Sequence, residues 1–174
     1  MRMVAVSATL PNIQDCATLI SAAECYTFDE SYRPVPLARH VIGVGYIGKN
    51  AYHFWSGMDR QVPALIQRFS NSKPTIIFCH SKKDTEKLAA LLAQSNGIGY
   101  SHSTLKSELS SQARDGQLQG CLLTGIAFHH AGLDAQDRRL VEKAFSEGKI
   151  KVLCATSTLA MGINLPGIGY DESY

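Results

Sequence analysis

The sequence has no Cys-x-x-Cys pair, and its cysteines (Cys16, Cys25, Cys79, Cys121 and Cys154) are odd in number. That argues against a disulfide framework, and no cluster of ligands has the spacing of a zinc site. Three of the five lie in apolar runs, where a thiol acts as a small core residue, so a reducing compartment is expected. No apolar stretch reaches the roughly 18 residues that a transmembrane helix needs. The start, Met1-Arg2-Met3-Val4-Ala5-Val6, is too short and too soon broken for a signal peptide, which points to cytosol or nucleus. A dominant charge is missing as well. The 17 basic and 15 acidic residues leave a net +2, which argues neither for nor against nucleic acid. There is no internal repeat and no low-complexity tract.

What is present is core material. The 174 residues are 45% hydrophobic and 18% charged, about one domain's worth at roughly 150 residues per domain. Three short β-branched apolar runs predict buried strands at residues 3–6, at Thr75–Cys79 and at residues 150–154, each followed by a helical pattern. Those helices are expected at residues 13–20, with Asn12 as N-cap, at Lys82–Gln94, with Leu88, Leu91 and Leu92 on one face, and at residues 157–161. Weaker strand patterns cover residues 26–28, residues 41–46 and Ile126–His129. Further helices are expected at residues 58–69, 118–123 and 135–145. Strands alternating with helices imply βαβ units, hence an α/β fold with a parallel sheet and flanking helices. The mixed stretch 45–57 reads as a linker, and 95–116 as an exposed insertion or loop-helix. Both ends look cut, because a parallel sheet wants more strands than the chain supplies beyond residues 3 and 166.

Four blocks carry candidate chemistry. Ser7-Ala8-Thr9 follows the first expected strand, where open α/β sheets bind ligands; taken alone it reads first as a hydroxyl-rich turn capping the next helix. Ser81-Lys82-Lys83 combines an N-cap with two cations that attract a phosphate backbone without regard to sequence, or is a plain cap with solvated lysines. In His129-His130-Ala131-Gly132-Leu133 the histidines diverge and lack a third ligand, so a metal is not expected. Gly132 permits close approach of a phosphate; a strand-to-helix loop with a buried histidine is the alternative. The strongest block runs from Ala155 to Pro166. Thr156, Ser157 and Thr158 place three hydroxyls at a helix start, where they can donate to a phosphate, and Gly162 and Asn164 follow one to two turns later. A capped helix closed by Gly and Pro fits the same residues. The chain contains no Gly-x-x-x-x-Gly-Lys-Ser/Thr loop, no Asp-Glu-x-His or Asp-Glu-Ala-Asp box for magnesium and no Gln-x-x-Gly-Arg-x-Gly-Arg segment.

In this order the blocks resemble the Ski-two-like family of superfamily-two helicases. Val4-Ala5-Val6-Ser7-Ala8-Thr9-Leu10-Pro11-Asn12 is similar to its third motif and Pro74-Thr75-Ile76-Ile77-Phe78-Cys79-His80-Ser81 to its fourth. Residues 125–133 match the Gly-x-x-Phe-His-His-Ala-Gly-Leu element, and residues 152–166 the fifth motif. Residues 28–37 and 73–81 look most like the meiotic crossover branch. The resemblance implies two RecA-like domains, ATP hydrolysis with Mg2+, and 3′-to-5′ translocation on a nucleic-acid strand in the nucleus, with DNA favoured over RNA. It divides the chain into the end of a first RecA-like domain (1–44), a linker (45–57), an incomplete second domain (58–166) and a tail of no family pattern (167–174). By position, Ser7 and Thr9 would couple hydrolysis to unwinding. Ser81, Gly132, Thr156 and Ser157 would face the strand, and Gly162 and Asn164 the nucleotide. The chain by itself is expected not to hydrolyse ATP or hold it tightly, and its incomplete first domain to be poorly stable alone. The alternative is a non-enzymatic module that binds nucleic acid or a partner protein, derived from an RNA helicase of the same family.

Overall fold

The computed structural model describes residues 4–7, 10–21, 24–34, 36–45, 51–99, 104–157 and 159. It divides into two compact units, Met1–Gly43 and Val44–Tyr174.

Among its described residues the first unit holds one short helix, α1 (Ile13–Leu19), and a 3-10 turn, Glu30–Tyr32. Asn12 occupies the N-cap position of α1, but its side chain makes no capping bond. Asp29 does cap the 3-10 turn, accepting from the Ser31 amide and hydroxyl. The Ser31 hydroxyl, and then its amide, hold the Asp29 carboxyl below its ordinary value. Glu30 binds both Arg33 and Arg39 at the surface. None of the described residues of this unit is buried.

Three expected strands fail here. Residues 4–6 of the first run, residues 26–28 and residues 41–45 of the third have no regular structure, and Val6 and Val41 are 93% and 100% exposed. The cause is the lack of a partner. A strand is stabilised by its neighbour's ladder, so a β-branched run alone is only extended chain.

Among its described residues the second unit is a three-stranded parallel sheet with helices. Its elements are α2 (Ala51–Asp59), α3 (Val62–Phe69), β1 (Thr75–Cys79), α4 (Lys82–Gln94), α5 (Thr104–Gln112), α6 (Gly116–Leu122), β2 (Ile126–His129), α7 (Ala135–Ser146) and β3 (Val152–Thr156). The order across the sheet is β1-β3-β2. Thr75 pairs with Val152 and Cys79 with Thr156, while Ile126 also pairs with Val152. The last strand in sequence is therefore the central one, and all three strands point the same way.

Several expectations are corrected in this unit. The helix expected over 58–69 is two helices that meet at Arg60–Gln61, because Pro63 has no N–H for the Asp59 carbonyl and its ring crowds that group. The stretch expected as a linker is helical from Ala51. The third strand begins at Val152 rather than at residue 150, although ladder-like bonds already run from Thr75 N–H to Lys151 O and from Lys151 N–H to Gly125 O. The stretch expected as an exposed insertion or loop-helix does carry a helix, α5, but it is not all exposed: Ile98, Leu109 and Ala113 are buried. Gly99 shows why residues 98–99 must be packed so closely. A side chain there would collide with the backbone carbonyl of Thr124. The helix expected over 157–161 lies largely outside the described residues; Ser157 is in a turn and Leu159 is buried.

The core gathers Leu88, Ala89 and Leu92 of α4, Leu118 and Leu122 of α6, all of β2 as far as Phe128, Val141 and Phe145 of α7, and Val152–Ala155 of β3. On the helical period of about 3.6 residues, positions 88, 89 and 92 share one face. α4 accordingly packs on all three strands. Leu91, expected on the same face, is only partly buried at its margin.

Candidate nucleic-acid edge of the sheet

Because the strands are parallel and in register, Cys79, His129 and Thr156 end at one edge of the sheet. The loops that leave this edge carry His80-Ser81, His130–Asp134 and Ser157. Four of the expected site residues, Ser81, Gly132, Thr156 and Ser157, thus share an edge. Ser7 lies in exposed, irregular chain of the first unit. Thr9, Gly162 and Asn164 fall outside the described residues.

Two of these loops are tightly bonded. Ser81 is the N-cap of α4: its Oγ accepts from the Asp84 amide at 3.2 Å and donates to the Asp84 carboxylate at 2.7 Å. The His130–Asp134 loop closes on itself. Leu133 N–H donates to His130 O at 3.1 Å, Gly132 N–H donates to His130 Nδ1 at 3.1 Å, and Arg138 donates to Ala131 O at 3.2 Å. Asp134 then caps α7 by accepting from the Gln136 amide.

The two histidines point apart, as neighbours on extended chain must. His129 meets Glu142 of α7, Nε2 to Oε1 at 2.8 Å. His130 meets Glu86 of α4, Nε2 to Oε1 at 3.0 Å, and its ring stacks on Phe128 at 5.6 Å. Since His130 Nδ1 accepts from Gly132, the proton of the neutral ring sits on Nε2 and is donated to Glu86. Both rings are buried. Among the described residues no three His, Cys, Asp or Glu side chains converge as a metal site. His129 and His130 are therefore struts that tie β2 to a helix on either face of the sheet.

Three acidic partners of this edge are invisible to motif reasoning. Glu86 and Glu142 hold the histidines. Asp137, 1% exposed, accepts from the amides of Arg114 and Asp115 at 2.9 and 3.0 Å and locks α7 to the turn before α6. Asp115 in turn caps α6. The i,i+4 spacing of Lys82 and Glu86 is the one available signal for Glu86, and it points to the wrong partner.

A thiol pair lies on the sheet beneath. Register places Cys79 of β1 and Cys154 of β3 on one face. A hydrogen bond from the Cys154 thiol holds the Cys79 thiol below its ordinary value, and the same bond, together with burial, raises Cys154. Burial, aided by Asp115, raises Cys121 to about 11.

Comparison with known proteins fits this geometry. Residues 123–170 match the helicase conserved C-terminal domain, which takes in β2, α7 and β3. The chain is 38% identical over 173 residues to the probable ATP-dependent DNA helicase HFM1 of Homo sapiens, covering 95% of the chain and 12% of that protein. It is 37% identical over 171 residues to the ATP-dependent DNA helicase MER3 of Saccharomyces cerevisiae, covering 95% and 14%. It is 38% identical over 178 residues to the U5 small nuclear ribonucleoprotein 200 kDa helicase of Caenorhabditis elegans, covering 95% and 8%. The chain thus spans less than a sixth of the length of each of these relatives. With the motifs in family order, the parallel α/β sheet and these relatives together, the chain belongs to the Ski-two-like superfamily-two helicases.

Proposed function

We propose that the chain is the strand-gripping part of an ATP-dependent 3′-to-5′ DNA helicase acting in meiotic crossover formation in the nucleus. Its sheet edge lies against the backbone of a single or branched DNA strand. Ser81 and Thr156 shape that edge, Gly132 and Ser157 lie exposed on it, and Lys82 stands beside them. In this reading the first unit is the end of one RecA-like domain, and Ser7 and Thr9 belong to the coupling segment. Gly162 and Asn164 face the nucleotide.

The observation that carries the reading is the gathering of three loops, from distant parts of the sequence, at one carboxyl edge. Open α/β sheets bind ligands at such edges. The two meiotic relatives named as DNA helicases support DNA as the strand. The spliceosomal relative supports the second reading, a nucleic-acid-binding module of RNA-helicase descent.

ATP and Mg2+ would supply the driving phosphoryl transfer. The sequence has no Gly-x-x-x-x-Gly-Lys-Ser/Thr loop to cradle the phosphates. A polypeptide of these residues alone is expected to turn over no ATP.

The test is fluorescence anisotropy of a labelled single-stranded oligonucleotide against salt. A backbone contact predicts log-affinity falling with log-salt at about 0.7 per phosphate contacted. Binding that ignores salt, or no binding, would sink the proposal, and preference for an RNA strand of the same sequence would favour the second reading.

A further inference from the structure

The loop bonds at the edge leave an unexpected distribution of free groups. The Gly132 amide is occupied by His130 Nδ1 at 3.1 Å. The Ser81 hydroxyl is occupied twice over by Asp84. Neither group is available to donate to a phosphate without breaking a bond already made.

Lys82 is placed differently. Its natural counterion one turn along α4 is Glu86, the i,i+4 neighbour. Glu86 is instead engaged by the buried His130 ring at 3.0 Å. Among the described residues, no carboxylate lies within ion-pair distance of the Lys82 ammonium. The stem of Lys82 runs past Gly132: a Cβ built on Gly132 would stand 3.3 Å from Lys82 Cδ, 3.0 Å from His130 Nδ1 and 3.2 Å from His130 Cε1. His130 cannot give way, because it is stacked on Phe128 and bonded to Glu86. The Lys82 stem, exposed and unbranched, can.

Resting on the nucleic-acid reading above, we infer that Lys82 is the backbone-phosphate contact of this edge, and that Gly132 serves it indirectly by leaving the space its stem crosses. His130 is a positioning residue that draws Glu86 away from the lysine. A methyl at residue 132 pushes the lysine stem aside and misplaces its charge.

The experiment is the same anisotropy titration across salt, with thermal melting alongside, for the wild type and for K82Q, K82A, G132A, K82A/G132A and K143Q. Lys143 sits in the last turn of α7, away from the edge, and its removal matches the charge change. K82Q is expected to weaken binding several-fold at low salt and to reduce the salt slope by about 0.7, while K143Q keeps the wild-type slope. G132A is expected to lose the same slope, and the double variant to bind no more weakly than K82A alone.

Additive losses in the double variant would mean that Gly132 meets the phosphate itself, which overturns the indirect role. A K82Q slope equal to wild type overturns the lysine contact. If G132A alone melts early, the lysine stem predicts recovery of the melting temperature in K82A/G132A; no recovery means that the gap serves His130 and the inference fails. A wild-type protein without salt-dependent binding sinks the nucleic-acid reading instead, so the two failures are told apart.

Discussion

Phe28 and Phe128 are the same side chain in two settings. Phe28, in the first unit, is 72% exposed and touches Tyr32 edge-on. Phe128, on β2, is 1% exposed and sits between α4 and the sheet with His130 stacked on it. The contrast extends across the units. None of the described apolar residues of 4–43 is buried, whereas those of the sheet are covered by α4, α6 and α7. Apolar content alone does not make a core; it takes a second layer to close over it.

The largest expected effect breaks the comparison if it is absent. Phe128→Ala should destabilise the protein by about 3–5 kcal/mol, the usual loss for an aromatic removed from a packed interior, while Phe28→Ala should change stability by less than about 0.5 kcal/mol. Urea unfolding of both variants reads this directly, and equal losses would mean that residues 24–34 are covered in solution.

The next effect compares acids. Asp137→Ala leaves the backbone amides of Arg114 and Asp115 without their acceptor and should cost about 1–3 kcal/mol. Glu30, which binds Arg33 and Arg39 in the open, should give no measurable shift when changed to Ala, since exposed ion pairs contribute little. Thermal melting in low salt and in 0.5 M salt separates the two: a salt-sensitive loss at Glu30 as large as that at Asp137 would contradict the assignment.

The smallest effect sharpens the comparison on the basic side. Cys121 is buried and its thiol is raised from 9.0 to about 11, so the unfolded chain loses this proton before the folded one does. Above pH 9 the native state binds more protons than the unfolded state, and stability falls as pH rises toward 11. Below pH 9 both forms keep the proton and the contribution is fully present. Cys121→Ala should flatten that part of the stability curve; Cys25→Ala, in the exposed first unit, should leave it in place.

The units also differ in what the sequence allowed to be read. β1 and α4 are legible to the residue because every local signal agrees: a β-branched run, a Ser-x-x-Asp box at Ser81, then leucines at helical spacing. Residues 4–6 carry the same β-branched signal without a ladder, since pairing partners are set by the rest of the fold and not by the run itself. The break before α3 was legible in Pro63, through the donor it lacks. The site divides in the same way. Gathering Ser81, Gly132 and Thr156 at one edge follows from parallel strands. The hold of Glu86 on His130 spans 44 residues and crosses between elements, so no local pattern announces it.

The strand order has a kinetic consequence. Among the described residues β1 and β2 each pair with β3 and not with each other, and β3 is the last of the three to leave the ribosome. Until residues 152–156 emerge, β1 has waited through the whole of α4 to α7 with both its edges unpaired. Loop closure over so long a stretch is slow, and an apolar strand left open is a template for other chains. The sheet is expected to form late and at once, around β3, and nascent chains stopped before Val152 are expected to aggregate.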